Sequence, residues 1–155
     1  AADDALLDAC AATYRRLFDG IAEQTAALFP GVAETLRALA PRYTLCVASS
    51  RGGASLRWFL RRFGVEDCIA LVLGEEDVVN KKPAPDMVLR ILADTATAPG
   101  EALVVGDTVF DIEMGRRAAC PTCGVTYGNH TAAQLQAAGA TFLIDRFPAL
   151  ADLLD

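Results

Sequence analysis

The chain has 155 residues, of which 53% are hydrophobic, so it is long enough and apolar enough for one globular domain with a substantial core. Its formal net charge is −6 and it has no basic cluster, which argues against nucleic acid or an anionic membrane as a partner. No apolar stretch approaches the roughly 20 residues that span a bilayer. The five cysteines, and an acidic start that lacks the layout of a signal peptide, predict a cytoplasmic protein.

The first part of the chain, residues 1–28, has a helical pattern. Apolar residues recur at intervals of three and four with charged residues between them, which predicts one amphipathic helix or two in succession. The sequence FPG at 29–31 interrupts the pattern, and a short helix over 32–40 is expected to end at Pro41. The first apolar stripe consists of Leu7, Cys10, Tyr14, Leu17 and Ile21.

Beyond Pro41 the hydrophobic pattern becomes that of short buried strands. Each apolar run contains β-branched residues and is continuous rather than alternating, as in strands that are covered on both faces. These runs alternate with helical patterns, so we expect the α/β class, with a Rossmann-like parallel sheet and helices on both faces. The predicted strands lie in 44–50, 68–74, 102–107, 122–128 and 141–145, and the predicted helices cover 53–63, 85–94, 111–119 and 131–138.

Polar side chains of three kinds follow three successive predicted strands. Ser49 and Ser50 end the first run, Lys82 follows the second after a loop, and Asp107 ends the third. Ligands of such sheets bind beyond the carboxyl ends of the strands, so we expect these groups to converge at one rim. A hydroxyl that hydrogen-bonds a phosphoryl oxygen, a lysine that offsets negative charge and a carboxylate that holds Mg²⁺ together suit a phosphate ester.

Asp111 comes four residues after Asp107, where a helix is predicted to begin and the helix dipole favours an anion. We expect it to support the metal site from close by, by orienting a metal-bound water or Lys82. Each residue also has a purely structural interpretation, the serines and Asp107 as helix caps and Lys82, like Lys81, as a solvated loop lysine. The occurrence of complementary groups after three successive strands favours the site.

Segments that carry these residues resemble the signatures of a known family. TLCVASS at 44–50, KKPAPD at 81–86 and LVVGDTVFDIEMG at 103–115 look like the second, third and fourth signature segments of the haloacid dehalogenase-like hydrolases. The nearest resemblance is to the phosphoglycolate phosphatase-like branch, which residues 29–39 and 124–147 also resemble. The ordered set is specific, whereas any one segment alone would be a weak signal.

The resemblance implies a magnesium-dependent phosphatase that acts through an aspartyl-phosphate on a small, phosphoglycolate-like metabolite. Ser49, with Ser50 beside it, would bind the transferring phosphoryl group. Lys82 would steady the attacking carboxylate and the phosphoryl charge. Asp107 would ligate Mg²⁺, with Asp111 in support.

The resemblance also has a gap at its start. Residues 1–28 would be the remnant of a helical cap over the substrate, and residues 29–155 the C-terminal part of the hydrolase core. The family's nucleophile lies in an Asp-x-Asp-Gly-Thr segment after a first, central strand, and the sequence contains no such segment. That strand would lie between the strands predicted at 44–49 and 102–106. The nucleophile is therefore expected outside this chain, which alone should be inactive and should be unstable, aggregate or self-associate.

Cys120 and Cys123 form a CxxC pattern. A zinc site would need a second pair of ligands, and His130 is the single histidine. The pair falls between a helix end and a strand, not at a helix N-terminus where a thiolate is stabilised. We interpret both cysteines as reduced and structural, and His130 as a loop residue near the substrate rim.

Three other functions fit parts of the pattern. A phosphotransfer mutase of the same family would need the same residues and a cap that holds a sugar phosphate. A non-catalytic remnant that binds phosphate or a partner would explain the missing nucleophile. A signalling receiver domain uses similar groups on a parallel sheet, but there the lysine follows the phosphorylated aspartate, whereas Lys82 precedes Asp107.

Overall fold

Helices and short parallel strands alternate along the chain in the computed structural model, which describes residues 5–7, 9–10, 12–13, 20–21 and 25–155. The strands are β1 (Cys46–Ala48), β2 (Leu71–Leu73), β3 (Val104–Gly106), β4 (Thr122–Val125) and β5 (Phe142–Ile144). The helices are α1 (Val32–Leu39), α2 (Gly53–Arg62), α3 (Asp86–Asp94), α4 (Val109–Arg117), α5 (Ala132–Ala137) and α6 (Ala149–Leu154). Single 3₁₀ turns lie at Glu66–Cys68, Glu75–Asp77 and Pro99–Glu101.

The predicted α/β class is confirmed. Each predicted strand contains an observed one, and every strand pair is parallel. Helix α4 begins two residues before the predicted position because Thr108, rather than a later residue, is its N-cap. Helix α6, which had not been predicted, closes the chain on the face that also carries α1.

The strands form two separate sheets rather than one. Within the described part of the chain, β1 pairs with β2, and β3, β4 and β5 form a second sheet in that order. One cavity of about 430 Å³ is lined by Cys46 and Ala48 of β1 and by Val104 of β3. The edges of β1 and β3 therefore face a common space, which we call the central cleft.

Two apolar layers cover the sheets. On one face, Leu73 of β2 packs with Met87 and Leu92 of α3 and Met114 of α4. On the other face, Cys123 and Val125 of β4 pack with Leu39 of α1 and Leu150 of α6. Helices thus lie on both faces, as the continuous apolar runs predict.

The described residues before position 26 are helical, in agreement with the predicted start of the chain. Part of that predicted helix, including Tyr14 and Leu17, lies outside the described residues. The division at residue 28 into a cap remnant and a core stays a prediction. Among the helices that the structure describes, none combines the length and the apolar character that a membrane crossing requires.

Candidate active site

The carboxyl ends of β1 and β3 form the rim at which the predicted site residues lie. Ser49 directly follows β1 and Asp107 directly follows β3. Lys82 lies in the loop between β2 and α3, preceding a cis peptide bond to Pro83. Asp111 lies in the first turn of α4.

Lys82 connects the two sides of this rim. Its Nζ donates to Asp111 Oδ1 at 2.6 Å and to the carbonyl oxygen of Ala48, the last residue of β1, at 2.9 Å. Only 13% of the Lys82 side chain and 10% of the Asp111 side chain are exposed. Water therefore screens this ion pair far less than a surface pair.

Lys81 has a different environment. Its side chain is 60% exposed and its Nζ forms an ion pair with Glu75 Oε2 at 2.7 Å. The structure thus turns one lysine of the KKP sequence outward and the next one inward. The buried one is Lys82, the residue that the sequence singled out.

Asp111 is held by contacts with its own helix start. Thr108 is the N-cap of α4, and its backbone N–H and its Oγ1 donate to Asp111 Oδ2 at 3.1 and 2.6 Å. A Cβ at Gly106 would collide with the Asp111 side chain, so the strand must end in glycine for the acid to lie there. Lys82 occupies Oδ1 and Thr108 occupies Oδ2, so both carboxylate oxygens are engaged within the protein.

Asp107 is engaged on one oxygen only. Its Oδ2 accepts from the backbone N–H of Asn129 at 2.8 Å and from Asn129 Nδ2 at 2.6 Å. Among the described residues, none donates a hydrogen bond to Oδ1. Of the two predicted acids, Asp107 therefore has an oxygen without a donor among the described residues, whereas both oxygens of Asp111 already accept at least one hydrogen bond.

His130 lies in the loop between β4 and α5, beside the rim as predicted. Its backbone N–H donates to the carbonyl oxygen of Asp107 at 3.1 Å, and its Nδ1 accepts from the backbone N–H of Val109 at 2.9 Å. The ring satisfies one of the N–H groups that a helix start leaves without an intrahelical partner. Its observed role is to fasten this loop to the segment around Asp107.

The two serines differ in their surroundings. Ser49 Oγ accepts from the backbone N–H of Arg51 at 3.1 Å, and the Ser49 N–H donates to Leu73 of β2 at 3.1 Å. Ser50 is exposed, and its side chain forms no hydrogen bond with the described residues. Neither serine caps α2, whose first N–H, that of Gly53, instead donates to Glu76 Oε1 at 2.7 Å.

Aromatic side chains lie next to the Asp107 loop. Tyr127 packs against Phe29, with ring centroids 4.7 Å apart. Burial raises the pKa of Tyr127, and the negative charge of Asp107 raises this pKa further. Tyr127 therefore stays protonated at neutral pH.

The donor chemistry at the rim fits Mg²⁺ in part. Carboxylate oxygens are the ligands that this hard cation prefers, and Asp107 Oδ1 is such an oxygen. Within the described residues, no group of three or more His, Cys, Asp and Glu side chains is placed to hold a metal ion. Asp107 Oδ1 is thus chemically suited to be one ligand of such an ion.

The CxxC cysteines lie away from the rim chemistry. Cys120 and Cys123 are buried free thiols, Cys120 in one apolar layer and Cys123 in the other. Burial raises the pKa of Cys123 to about 11, so the thiol stays protonated at neutral pH.

Sequence reasoning missed Thr108 and Asn129 as supports of the two acids. Thr108 carried a usable signal, since Thr108 and Asp111 have the three-residue spacing of a capping box. Asn129 lies 22 residues from Asp107 in sequence, and no local pattern connects them.

Comparison with known proteins places these features in a family. The family profile described as haloacid dehalogenase-like hydrolase matches residues 3–125. A protein named probable phosphatase IndB from Dickeya dadantii is 37% identical over 105 residues, which are 68% of this chain and 46% of that protein. Phosphoglycolate phosphatase of Escherichia coli strain K12 is 39% identical over 69 residues, which are 44% of this chain and 27% of the enzyme.

A solved structure shows the same fold. The crystal structure of a predicted phosphoglycolate phosphatase from Haemophilus somnus superposes with a TM-score of 0.79 and 27% identity. The superposition covers 83% of this chain and 58% of that one. The matched residues thus cover less than half of each of the two relatives and 58% of the crystallised protein.

Proposed function

Because the chain belongs to the haloacid dehalogenase-like hydrolase family, we propose that it forms part of a magnesium-dependent phosphatase. Its substrate class is a small phosphorylated metabolite, of which a phosphoglycolate-like ester is the first choice. The similarity to two phosphatases supports this assignment. The observation that carries it is the buried Lys82, which lies between the end of β1 and Asp111.

Lys82 has the capacity to bind one more oxygen. An ammonium group has three donors, and two of them are used by Ala48 and Asp111. The third remains for a phosphoryl oxygen or for an attacking carboxylate. A fixed positive charge at that point stabilises negative charge as it develops in the transition state. Ser49, next in sequence to Ala48, would hydrogen-bond a second phosphoryl oxygen, with Ser50 beside it.

Asp107 would hold Mg²⁺ through Oδ1, and Asp111 would act by holding Lys82. When bound, the metal would supply positive charge next to the phosphoryl group. Both oxygens of Asp111 already accept hydrogen bonds, from Lys82 and from Thr108, so its proposed part is to keep the ammonium in place.

The nucleophile would come from a strand that occupies the central cleft. A parallel strand there would pair with the edges of both β1 and β3 and end at the rim, where its next residue would lie near Lys82. An aspartate oxygen at that position would attack phosphorus while the bond to the leaving alcohol breaks, and a second acid would give the alcohol its proton. Water would then attack the aspartyl-phosphate, releasing phosphate and the free carboxylate.

The test compares two proteins. One is the chain of 155 residues, and the other is the extended protein, defined as this chain preceded by the residues encoded immediately upstream. With Mg²⁺ and a panel of small phosphate esters, we expect turnover by the extended protein only. Asp107→Asn in the extended protein should reduce turnover by several orders of magnitude and weaken its affinity for Mg²⁺, because a neutral amide does not match the charge of this cation.

Two outcomes would contradict the proposal. Lys82-dependent turnover by the short chain would show that the nucleophile lies within it. An extended protein that binds phosphate but turns over no ester would favour the non-catalytic interpretation.

A cytoplasmic location stays a prediction, which the free thiols suit.

A further inference from the structure

Asn129 donates hydrogen bonds to only one of the two carboxylate oxygens of Asp107. Its backbone N–H and its side-chain Nδ2 both donate to Oδ2, at 2.8 and 2.6 Å. Among the described residues, Oδ1 receives no donor. Two donors on one oxygen fix the rotation of the carboxylate group, so Oδ1 has a defined direction before any ligand arrives.

The loop that carries Asn129 is itself fastened to the residues around Asp107. His130 donates to the Asp107 carbonyl oxygen and accepts from the Val109 N–H. On the other side of Asn129, a Cβ at Gly128 would collide with the Asp107 side chain, so only glycine permits this approach. His130 thus fastens the loop, and Gly128 leaves the room that Asn129 needs to reach the carboxylate.

We propose that Asn129 is a positioning residue that fixes Asp107 for metal binding through Oδ1 alone. The inference rests on the proposed function, since it assigns a support to the metal ligand of that site. Mg²⁺ demands nearly octahedral geometry, so a carboxylate already fixed in rotation loses less freedom when it binds. Groups that hydrogen-bond a metal ligand commonly change metal affinity by about 10–100-fold when they are removed.

The test is the Mg²⁺ affinity of the extended protein, measured by titration and followed in amide NMR spectra. Asn129→Ala removes the Nδ2 donor and keeps the backbone donor, so we expect about 10-fold weaker binding with an unchanged melting temperature. Asp107→Asn should abolish binding. A role limited to folding would instead lower the melting temperature and leave affinity unchanged.

Asn80 supplies a matched control. Its backbone N–H and Nδ2 both donate to Asp86 Oδ2, at 3.2 and 3.0 Å, which repeats the Asn129 arrangement on another acid. Asn80→Ala should therefore leave Mg²⁺ affinity within about twofold of the unmodified extended protein. A second measurement needs no Asn129 variant: the backbone N–H of Asn129 should exchange with solvent more slowly in the unmodified protein than in Asp107→Ala, which removes its acceptor.

The outcomes separate this inference from the proposed function. Mg²⁺ binding that is lost in Asp107→Asn but retained in Asn129→Ala would overturn the inference alone. An equal loss in Asn80→Ala and Asn129→Ala, or equal exchange rates of the Asn129 N–H in the unmodified protein and in Asp107→Ala, would overturn it as well. Absence of Mg²⁺ binding by the unmodified extended protein would overturn both the inference and the assignment of the metal to Asp107.

Discussion

Lys81 and Lys82 are neighbours in sequence, yet their side chains have opposite relations to solvent. The Lys82 ion pair with Asp111 is nearly buried, whereas the Lys81 side chain, which pairs with Glu75, is mostly exposed. Removing one partner of a buried pair leaves the other as an uncompensated charge, which typically costs 3–5 kcal/mol. Exposed pairs contribute about 0–1 kcal/mol. The two positions therefore form a matched pair for mutation.

We predict that Lys82→Met in the extended protein lowers the free energy of unfolding by about 3 kcal/mol and nearly abolishes turnover. The lower end of the range is chosen because Asp111 keeps its bonds from Thr108. Lys81→Met should change stability by less than about 1 kcal/mol and leave turnover near its original value. Urea unfolding and a phosphatase assay measure the two effects. Equal behaviour of the two variants would mean that the site lysine has been misassigned.

A second prediction concerns the pH dependence of stability and the thiol of Cys123, which is fully buried. Burial raises its pKa from 9.0 to about 11, so the unfolded chain releases this proton at lower pH than the folded protein. The contribution of the buried, protonated thiol to stability is present in full below about pH 9 and is lost as the pH rises towards 11. As the pH rises from about 9 to about 11, the free energy of unfolding should fall by about 2 kcal/mol less in Cys123→Ala than in the unmodified protein. Parallel pH profiles in urea unfolding would contradict this.

At the scale of elements, two helices begin with the same capping box. Thr108 starts α4 and Thr131 starts α5, and each side chain accepts from the N–H three residues later. Only Thr108 also donates its hydroxyl to a site acid, Asp111. One cap therefore serves its helix and the site, and the other serves its helix.

We predict that Thr108→Ala and Thr131→Ala each lower the free energy of unfolding of the extended protein by about 1 kcal/mol. Only Thr108→Ala should also reduce turnover, because Asp111 then holds Lys82 less firmly. Urea unfolding and an assay of both variants give the comparison. If Thr131→Ala impaired turnover as much as Thr108→Ala, the effect would be general destabilisation rather than a role of Thr108 at the site.

The element pattern was predictable from sequence because it depends on local periodicity. The runs around Val47, Val72 and Val105 are apolar and β-branched, and each holds a strand. The choice of Lys82 over Lys81 rested on the resemblance and on its place directly before Pro83, because local periodicity does not separate the two lysines. The Asn129 contact was not predictable, because it joins the ends of two strands that are adjacent only after the sheet has formed.

At the scale of the whole molecule, the main feature is the division into two sheets. The edges of β1 and β3 carry backbone N–H and C=O groups that find no strand partner in the described part of the chain. Each such group costs about 1–3 kcal/mol when it is buried without a partner. Since whole domains are stable by only about 5–15 kcal/mol, a few such groups decide whether the chain remains folded.

We therefore predict that the chain of 155 residues melts at low temperature, aggregates, or fills the central cleft with part of another copy. A peptide that consists of an apolar strand followed by Asp-x-Asp-Gly-Thr should raise the melting temperature, and a scrambled peptide should not. Thermal unfolding by circular dichroism and light scattering after size exclusion measure both effects. A monomer with a cooperative melt at high temperature would contradict this prediction.

The position of Lys82 has a consequence for how binding events communicate. Its ammonium bonds Ala48, which belongs to the β1 side of the cleft, and Asp111, which belongs to the α4 side. A phosphate-like anion would bind this ammonium, and a strand in the central cleft would align the two sides that the ammonium joins. Both events would thus act on the same three atoms, which are Lys82 Nζ, the Ala48 carbonyl oxygen and Asp111 Oδ1. Thermodynamic linkage then requires that each strengthens or weakens the affinity of the other by the same factor. We therefore expect phosphate affinity to differ between a chain whose central cleft is empty and one whose cleft is filled by a strand.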